Sequence, residues 1–177
     1  MRIIAGSRRG ARIFAPKGSD TRPTGDRVRE AAFNLIGPVD DASVLDLFAG
    51  SGAMGLEALS RGAATATFVE SNREACRAIE RNLDKLGLSG ATVLCRDAFQ
   101  ALAPSSRTYD LVLCDPPYGF DGLDRLAPYL AKALAPDGVL VYETSAREEP
   151  DVKGLTLRTS RTYGSARLTL FRHEPQA

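Results

Sequence analysis

The sequence predicts an α/β fold: a doubly wound, mostly parallel sheet with an antiparallel pair at its C-terminal edge and a short N-terminal β-hairpin extension. Three observations predict it. From residue 43 onward, short apolar runs alternate with longer amphipathic stretches, the rhythm of parallel βαβ units covered on both faces. A glycine-rich turn joins the first apolar run to the first amphipathic stretch. The chain closes on two alternating segments around Gly164 and Ser165, which read as an antiparallel hairpin.

The elements follow in order. RIIA (2–5) and ARIF (11–14) flank the basic turn GSRRG and predict a β-hairpin with arginines at its tip. KGSDTRPTGD (17–26) is loop by its glycines and proline. In VREAAFNLIG, Val28, Ala31, Ala32 and Leu35 share a helical face, and Gly37-Pro38 ends the helix. VLDLF (44–48) is a buried strand, and a helix runs through GLEALSRG to Gly62. ATFVE (66–70) is the second strand, and Ser71 or Asn72 caps a helix over 73–87. ATVLC (91–95), a short helix in AFQALA and the strand YDLVLCD (109–115) come next. A helix is predicted over 122–138, ending at Asp137-Gly138, before the strand VLVYET (139–144). LTLRTSRTY and ARLTLFRH form the closing pair. One boundary is expected near residue 38, dividing a basic extension (1–38) from the α/β body (39–177).

Composition removes whole classes of chemistry. At 177 residues, 44% hydrophobic and 25% charged, the chain has the profile of a globular domain with a real core. No run approaches the ~20 apolar residues of a membrane helix. The N-terminus has no apolar leader pattern, so a cytoplasmic location is expected. Cys76, Cys95 and Cys114 lack metal-ligand spacing, so neither a disulfide framework nor a metal site is expected. The only histidine, His173, lies near the end of the chain, which excludes Ser-His and Cys-His nucleophilic mechanisms. The net charge is +1, yet residues 1–30 hold eight Lys/Arg against three acids. That leaves +5 in the first thirty residues and −4 in the rest, and suggests contact with a polyanion, although a solvated basic surface would look the same.

Four motifs carry chemistry. In VLDLFAGSGAMG, the run Phe48, Ala49, Gly50, Ser51, Gly52 makes a tight turn from strand into helix, where a ligand meets free backbone N–H groups. Gly50, Gly52 and Gly55 satisfy G-x-G-x-x-G, which also fits dinucleotide enzymes. Asp46 tilts the choice, because a carboxylate below the turn repels a pyrophosphate but suits the ammonium and sulfonium of S-adenosyl-L-methionine. Glu70, beside Ser71 and twenty residues after Gly50, is placed to take two ribose hydroxyls. Asp97 either accepts from an adenine amine, with the Ala98 N–H meeting the ring, or caps a helix.

The fourth motif is Asp115-Pro116-Pro117-Tyr118 at the end of the fourth body strand. Two prolines end the strand and fix the loop. The Asp115 carboxylate and the Pro116 carbonyl then form a rigid pair of acceptors for the two N–H groups of an exocyclic amine. Held so, the amine nitrogen turns its lone pair toward a methyl donor, and Tyr118 offers a ring on which a base stacks. A sulfonium is already a strong electrophile, so the chemistry is positioning and electrostatics, with no metal and no strong base.

These motifs resemble the Rossmann-like amino-methyltransferases (class I). More narrowly, RIIAGSRRGARI, TRPTGDRVREAAFNLI and LDLFAGSGAMGLEALSRGA resemble the RsmD family, which makes N2-methylguanine at position 966 of bacterial 16S rRNA. The resemblance spans residues 1 to about 120, with a weaker C-terminal part in YGSARLTLFR. It implies that Asp46, Gly50, Gly52, Glu70 and Asp97 hold S-adenosyl-L-methionine and that Asp115 to Tyr118 hold the target amine. It implies that Arg22, Pro23 and Thr24 close over the pocket, and that Arg8, Arg9 and Arg12 meet RNA phosphates. The implied partner is 16S rRNA; so small a protein is expected to meet it within small-subunit particles, and a monomer is the default expectation. Competing readings are an amino-methyltransferase acting on another RNA, on DNA or on protein, and a non-catalytic RNA-binding assembly factor. A nicotinamide oxidoreductase would leave Asp46 and the Asp-Pro-Pro-Tyr segment without a role.

Overall fold

The structure, a computed structural model, describes residues 1–16 and 24–176. Helix α1 (Asp26–Ile36) precedes a body in which strands and helices alternate. These are β1 (Ser43–Leu47), α2 (Ala53–Ser60), β2 (Thr65–Glu70), α3 (Arg73–Leu86), β3 (Ala91–Cys95), α4 (Ala98–Leu102), β4 (Tyr109–Cys114), α5 (Leu123–Ala133) and β5 (Leu134–Ser145). Two further strands, β6 (Thr156–Tyr163) and β7 (Ala166–Arg172), complete one seven-stranded sheet in the order β3-β2-β1-β4-β5-β7-β6. The first five strands pair in parallel, while β7 pairs antiparallel with both β5 and β6.

Period-two alternation divides the core between the sheet faces. Val44, Phe68, Leu113 and Val141 pack on one face against α1, α2, α3 and the N-terminal Ile3 and Ile13. Leu45, Leu47, Val112 and Leu140 pack on the other against α4 and α5. The N-terminal segment therefore shares its core with the body. Sequence capping signals work as expected at α3: Asn72 Oδ1 accepts from Ala75 N at 3.0 Å, and Gly87 ends the helix with φ 59°. Asn72, not Ser71, is the cap.

Two elements differ in extent from the sequence expectation. The helix predicted over 122–138 ends at Ala133, and the chain is already extended at Leu134. Pro136 explains this: it has no N–H for a helical bond and disfavours the α conformation at Ala135. The strand takes up those residues with an irregularity, since Tyr109 pairs with Leu134 but Leu111 pairs with Val139. The N-terminal hairpin is closed by Ile3 N–Ala11 O, Gly10 N–Ile3 O and Ile13 N–Met1 O, with a 3-10 turn at Gly6–Arg8, yet it carries only one ladder bridge, Arg2 to Arg12. Its inner N–H groups are drawn elsewhere, as Ile4 N and Ala5 N both donate to the Glu57 carboxylate of α2.

Candidate active site

The strand order reverses direction at β1: β2 and β3 lie on one side, β4 and β5 on the other. In such sheets the crevice beyond the strand C-termini at the reversal is where ligands bind. Here that crevice collects the loop after β1, Glu70 at the end of β2, Asp97 after β3, Asp115 after β4 and Glu143 near the end of β5.

The loop after β1 is held in a strained turn. Phe48 adopts φ 55° without being glycine, and Gly50 and Gly52 follow at 56° and 78°. Such a non-glycine residue costs about 1–3 kcal/mol and persists only where the surroundings enforce it. Glu70 enforces it: Oε2 accepts from Gly50 N at 2.7 Å and Oε1 from Asn72 N at 3.0 Å. A Cβ built on Gly50 would meet nothing within 4 Å, so this backbone faces open space. The opposite holds at Gly55, where a Cβ would lie 2.4 Å from the Phe68 ring and 3.1 Å from Asp46 Oδ2. Gly55 thus lets α2 close on the sheet, and its N–H reaches Asp46 Oδ2 at 2.9 Å. Asp46 is buried, and burial pushes its carboxyl up to about 8; Glu70 adds to the rise and the Gly55 N–H opposes it.

Asp97 caps α4, with Oδ1 accepting from Phe99 N at 2.9 Å and Gln100 N at 3.3 Å. Ala98 is buried at the start of that helix, and Ser71 is exposed. The Asp115–Tyr118 segment leaves β4 beside β1, with Asp115 N 3.5 Å from Leu47 O. Phe120 N donates to Pro117 O at 3.1 Å and closes a turn. The Phe120 ring meets Phe48 edge-on at 5.3 Å, tying this loop to the glycine loop. Tyr118 stands 63% exposed at the rim, an unusual position for a large aromatic and a suitable one for stacking.

Thr24 reaches the same place from the N-terminal side. Its Oγ1 donates toward Asp115 Oδ2 at 3.3 Å and Glu143 Oε2 at 3.2 Å. Burial, and then the Glu143 charge, push the Asp115 carboxyl well above the ordinary carboxylate range, while the Thr24 hydroxyl opposes the rise. Arg29 holds Thr24 in turn. This guanidinium is fully buried; it donates to Thr24 O at 3.3 Å, Asp26 Oδ1 at 2.9 Å and Arg2 O, and its Nε lies 3.5 Å from Glu57 Oε2.

Three residues of this constellation were not among the sequence candidates. Glu143 carries the same signal as Asp46, an acid in an apolar run (VLVYET). Glu57 is likewise a lone acid in the apolar AMGLEALS. Arg29 carries no such signal, because its neighbours Arg27 and Glu30 make its stretch look solvated.

The basic candidates separate. Arg9 and Arg12 are exposed. Arg8 is half-buried and spends its guanidinium on the C-terminus of α3, donating to Leu86 O and to Gly87 O at 3.4 Å. Arg22 and Pro23 lie outside the described residues. A cavity of about 350 Å³ bordered by Gly6, Pro38 and Arg61 opens at the opposite end of the sheet, where strands begin, and holds none of these groups. Among the described residues, no helix is long and apolar enough to cross a membrane.

Comparison with known proteins shows the family and the fold. The model of the family described as "Conserved hypothetical protein 95" matches residues 1–172. A protein of Escherichia coli strain K12 named "Ribosomal RNA small subunit methyltransferase D" is 38% identical over 99% of this chain and 91% of its own. The protein of the same name from Haemophilus influenzae is 33% identical over 98% and 94%. The solved structure of yhhF from Escherichia coli superposes with a TM-score of 0.89 at 36% identity, covering 99% of both chains. A full-length match of the family model, relatives above the identity at which fold and family are shared, and a Rossmann-like methyltransferase sheet with its crevice in place together make this chain a member of the RsmD family.

Proposed function

We propose that this protein transfers a methyl group from S-adenosyl-L-methionine to the exocyclic N2 of a guanine in the 16S rRNA of the small ribosomal subunit. One observation carries the reading: Asp115-Pro116-Pro117-Tyr118 leaves β4 directly beside the glycine loop of β1, at the reversal of the sheet. Membership in a family whose relatives are named for small-subunit rRNA supports the substrate.

The residues present fit the cofactor. The backbone at Gly50 faces open space, which admits a ligand close to the chain. Both Glu70 oxygens already accept one N–H, and each carboxylate oxygen has a second lone pair for a ribose hydroxyl. Both capping bonds at Asp97 fall on Oδ1, which leaves the acid able to cap α4 and to accept from an adenine amine together. Asp46, whose charged form is disfavoured by burial, gains most from a nearby cation. Phe48, Ala49, Ser51, Gly52, Ser71 and Ala98 complete the wall. When bound, S-adenosyl-L-methionine supplies a methyl group on an electron-poor sulfonium. The chain does the rest: Asp115 and the Pro116 carbonyl accept the two amine hydrogens, Tyr118 stacks on the base, and Thr24 covers the acceptors. A base that enters this crevice has left its helix, so the target is an extruded or unpaired guanine.

The test is methyl transfer from labelled S-adenosyl-L-methionine to small subunits of a strain lacking its own guanine-N2 enzyme, with the labelled nucleoside identified after digestion. Labelled N2-methylguanosine is the expected product. Asp115→Ala should lower the rate by roughly 100-fold or more, the scale of one lost preorganised contact, while cofactor binding persists. Label in another RNA, in DNA or in protein would move the substrate and keep the amine chemistry. RNA binding with no cofactor binding would leave an assembly factor.

A further inference from the structure

The N-terminal segment presents one aromatic ring, Phe14, that belongs to the core of neither sheet face. Ile13 is buried beneath the segment, and alternation along an extended chain turns its neighbour Phe14 outward, 40% exposed. Its backbone is nonetheless clamped. Asn82 of α3 is fully buried, with Oδ1 accepting from Phe14 N at 2.7 Å and Nδ2 donating to Phe14 O at 2.9 Å. The clamp and Ile13 fasten the segment without help from the ring. Arg81 and Lys85 of α3 lie over that ring, 4.6 and 4.8 Å from its centroid. Among the described residues neither cation is paired with a carboxylate. Lys85 spends one of its three N–H groups on Arg12 O at 2.7 Å.

The ring also stands close to the crevice. Asn82 Nδ2 reaches Ser51 O at 3.4 Å, so a single side chain separates Phe14 from the glycine loop. Helix α3 begins beside Glu70, and Arg73, Arg77, Arg81 and Lys85 recur along it at every fourth residue, all exposed. Residues so spaced are surface neighbours, and their row leads from the crevice toward the ring. Glu74, Glu80 and Asp84 flank the row, so charge alone does not single out this face. An exposed ring with two cations on it does. Resting on the function proposed above, we infer that Phe14, Arg81 and Lys85 form a platform for an unpaired nucleotide of the rRNA strand flanking the extruded guanine. Its base stacks on the ring and its phosphates meet the cations. A strand that gives up one base to a pocket leaves neighbours unstacked, each with a π-face and a phosphate. A ring beside cations satisfies both and tolerates any base. A paired helix would use the cations and leave the ring idle, because its bases stay stacked on one another.

The experiment measures binding of two single-stranded probes, a short uridylate oligomer and the same ribose-phosphate chain without bases. Each protein is scored by its abasic/uridylate ratio of Kd, which cancels the phosphate contacts and isolates stacking. Phe14→Leu should lower the wild-type ratio roughly 5- to 100-fold, the range of one base stacked on an aromatic side chain. Phe14→Tyr keeps a ring and should keep the ratio. Arg81→Gln should weaken both probes and make log affinity against log salt shallower by about 0.7. In methyl transfer, Phe14→Leu should raise KM for small subunits more than it lowers kcat. A wild-type ratio near one, an unchanged ratio in Phe14→Leu, or an equal loss in Phe14→Tyr would overturn the inference alone. A higher KM in Phe14→Leu with an unchanged probe ratio would also overturn it, by giving the ring to a protein of the particle. Absence of wild-type transfer to guanine N2 would overturn the proposed function, and with it the assignment of the platform to a strand flanking the target.

Discussion

Asp46 shows how one side chain sets a stability gradient. It is buried at 4% exposure beneath α2, and Gly55 N–H is 2.9 Å from its Oδ2. Its carboxyl titrates near 8 when folded, against about 3.9 for an exposed aspartate. The folded state therefore holds a proton that the unfolded state releases between those two values. The group's contribution to stability is fully present at low pH and is lost as pH rises through about 8. Asp46→Asn removes the titration and keeps an oxygen for Gly55. Relative to the wild type, its melting temperature in the absence of cofactor should climb from pH 5 to pH 8 and level off above. A difference that stays constant with pH would show that Asp46 is charged throughout. If Asp46 serves the cofactor as proposed, the same variant should also bind S-adenosyl-L-methionine more weakly, checked by calorimetric titration.

At the scale of elements, the N-terminal segment is fastened to the body by one buried carboxylate. Glu57 of α2 accepts from Ile4 N at 2.9 Å and Ala5 N at 3.0 Å, pairs with Arg61 at 2.9 Å, and lies 3.5 Å from Arg29 Nε. Arg29 carries the connection on to Thr24 O, so helix α2, the N-terminal segment, α1 and Thr24 beside Asp115 form one continuous network. Glu57→Gln turns an amide toward groups that are themselves donors and leaves Arg29 with less compensation in the core. Breaking a buried pair this way costs about 3 kcal/mol or more. For a chain of this size, that lowers the melting temperature by roughly 6–12 °C. Amide exchange at Ile4 and Ala5 should quicken, and methyl transfer should fall because Thr24 loses its support. A melting temperature unchanged from the wild type would mean that the segment is held by Ile3 and Ile13 alone.

For the whole molecule, what was legible in the sequence follows the physics of burial. Parallel strands covered on both faces write uninterrupted apolar runs, so VLDLF, ATFVE and YDLVLCD locate β1, β2 and β4 within a residue or so. An acid inside such a run singled out Asp46, and an acid ending the next run, twenty residues after Gly50, singled out Glu70. What was not legible depends on partners far along the chain: Glu57 drawing Ile4 and Ala5 out of a regular hairpin, Asn82 clamping Phe14 through both its N and its O, and Arg29 buried in a stretch that looks solvated. The asymmetry of charge, +5 in the first thirty residues against −4 elsewhere, acquires a place only in three dimensions. Arg9 and Arg12 stand exposed on the N-terminal arm, which lies along α3. There Lys85 Nζ donates to Arg12 O at 2.7 Å, and Arg81 and Lys85 lie over the Phe14 ring at 4.6 and 4.8 Å. Arg8 is committed to the end of α3, so of the three arginines expected to meet RNA phosphates, Arg9 and Arg12 are the exposed ones. Phosphate contacts position the enzyme without reading sequence, and each releases counterions. The double variant Arg9→Ala, Arg12→Ala should raise KM for small subunits more than it lowers kcat. The slope of log affinity against log salt should become shallower by about one unit per lost contact. Equal loss for single and double variants, with the slope unchanged, would place the RNA on another surface and leave the arm as a strap for α3.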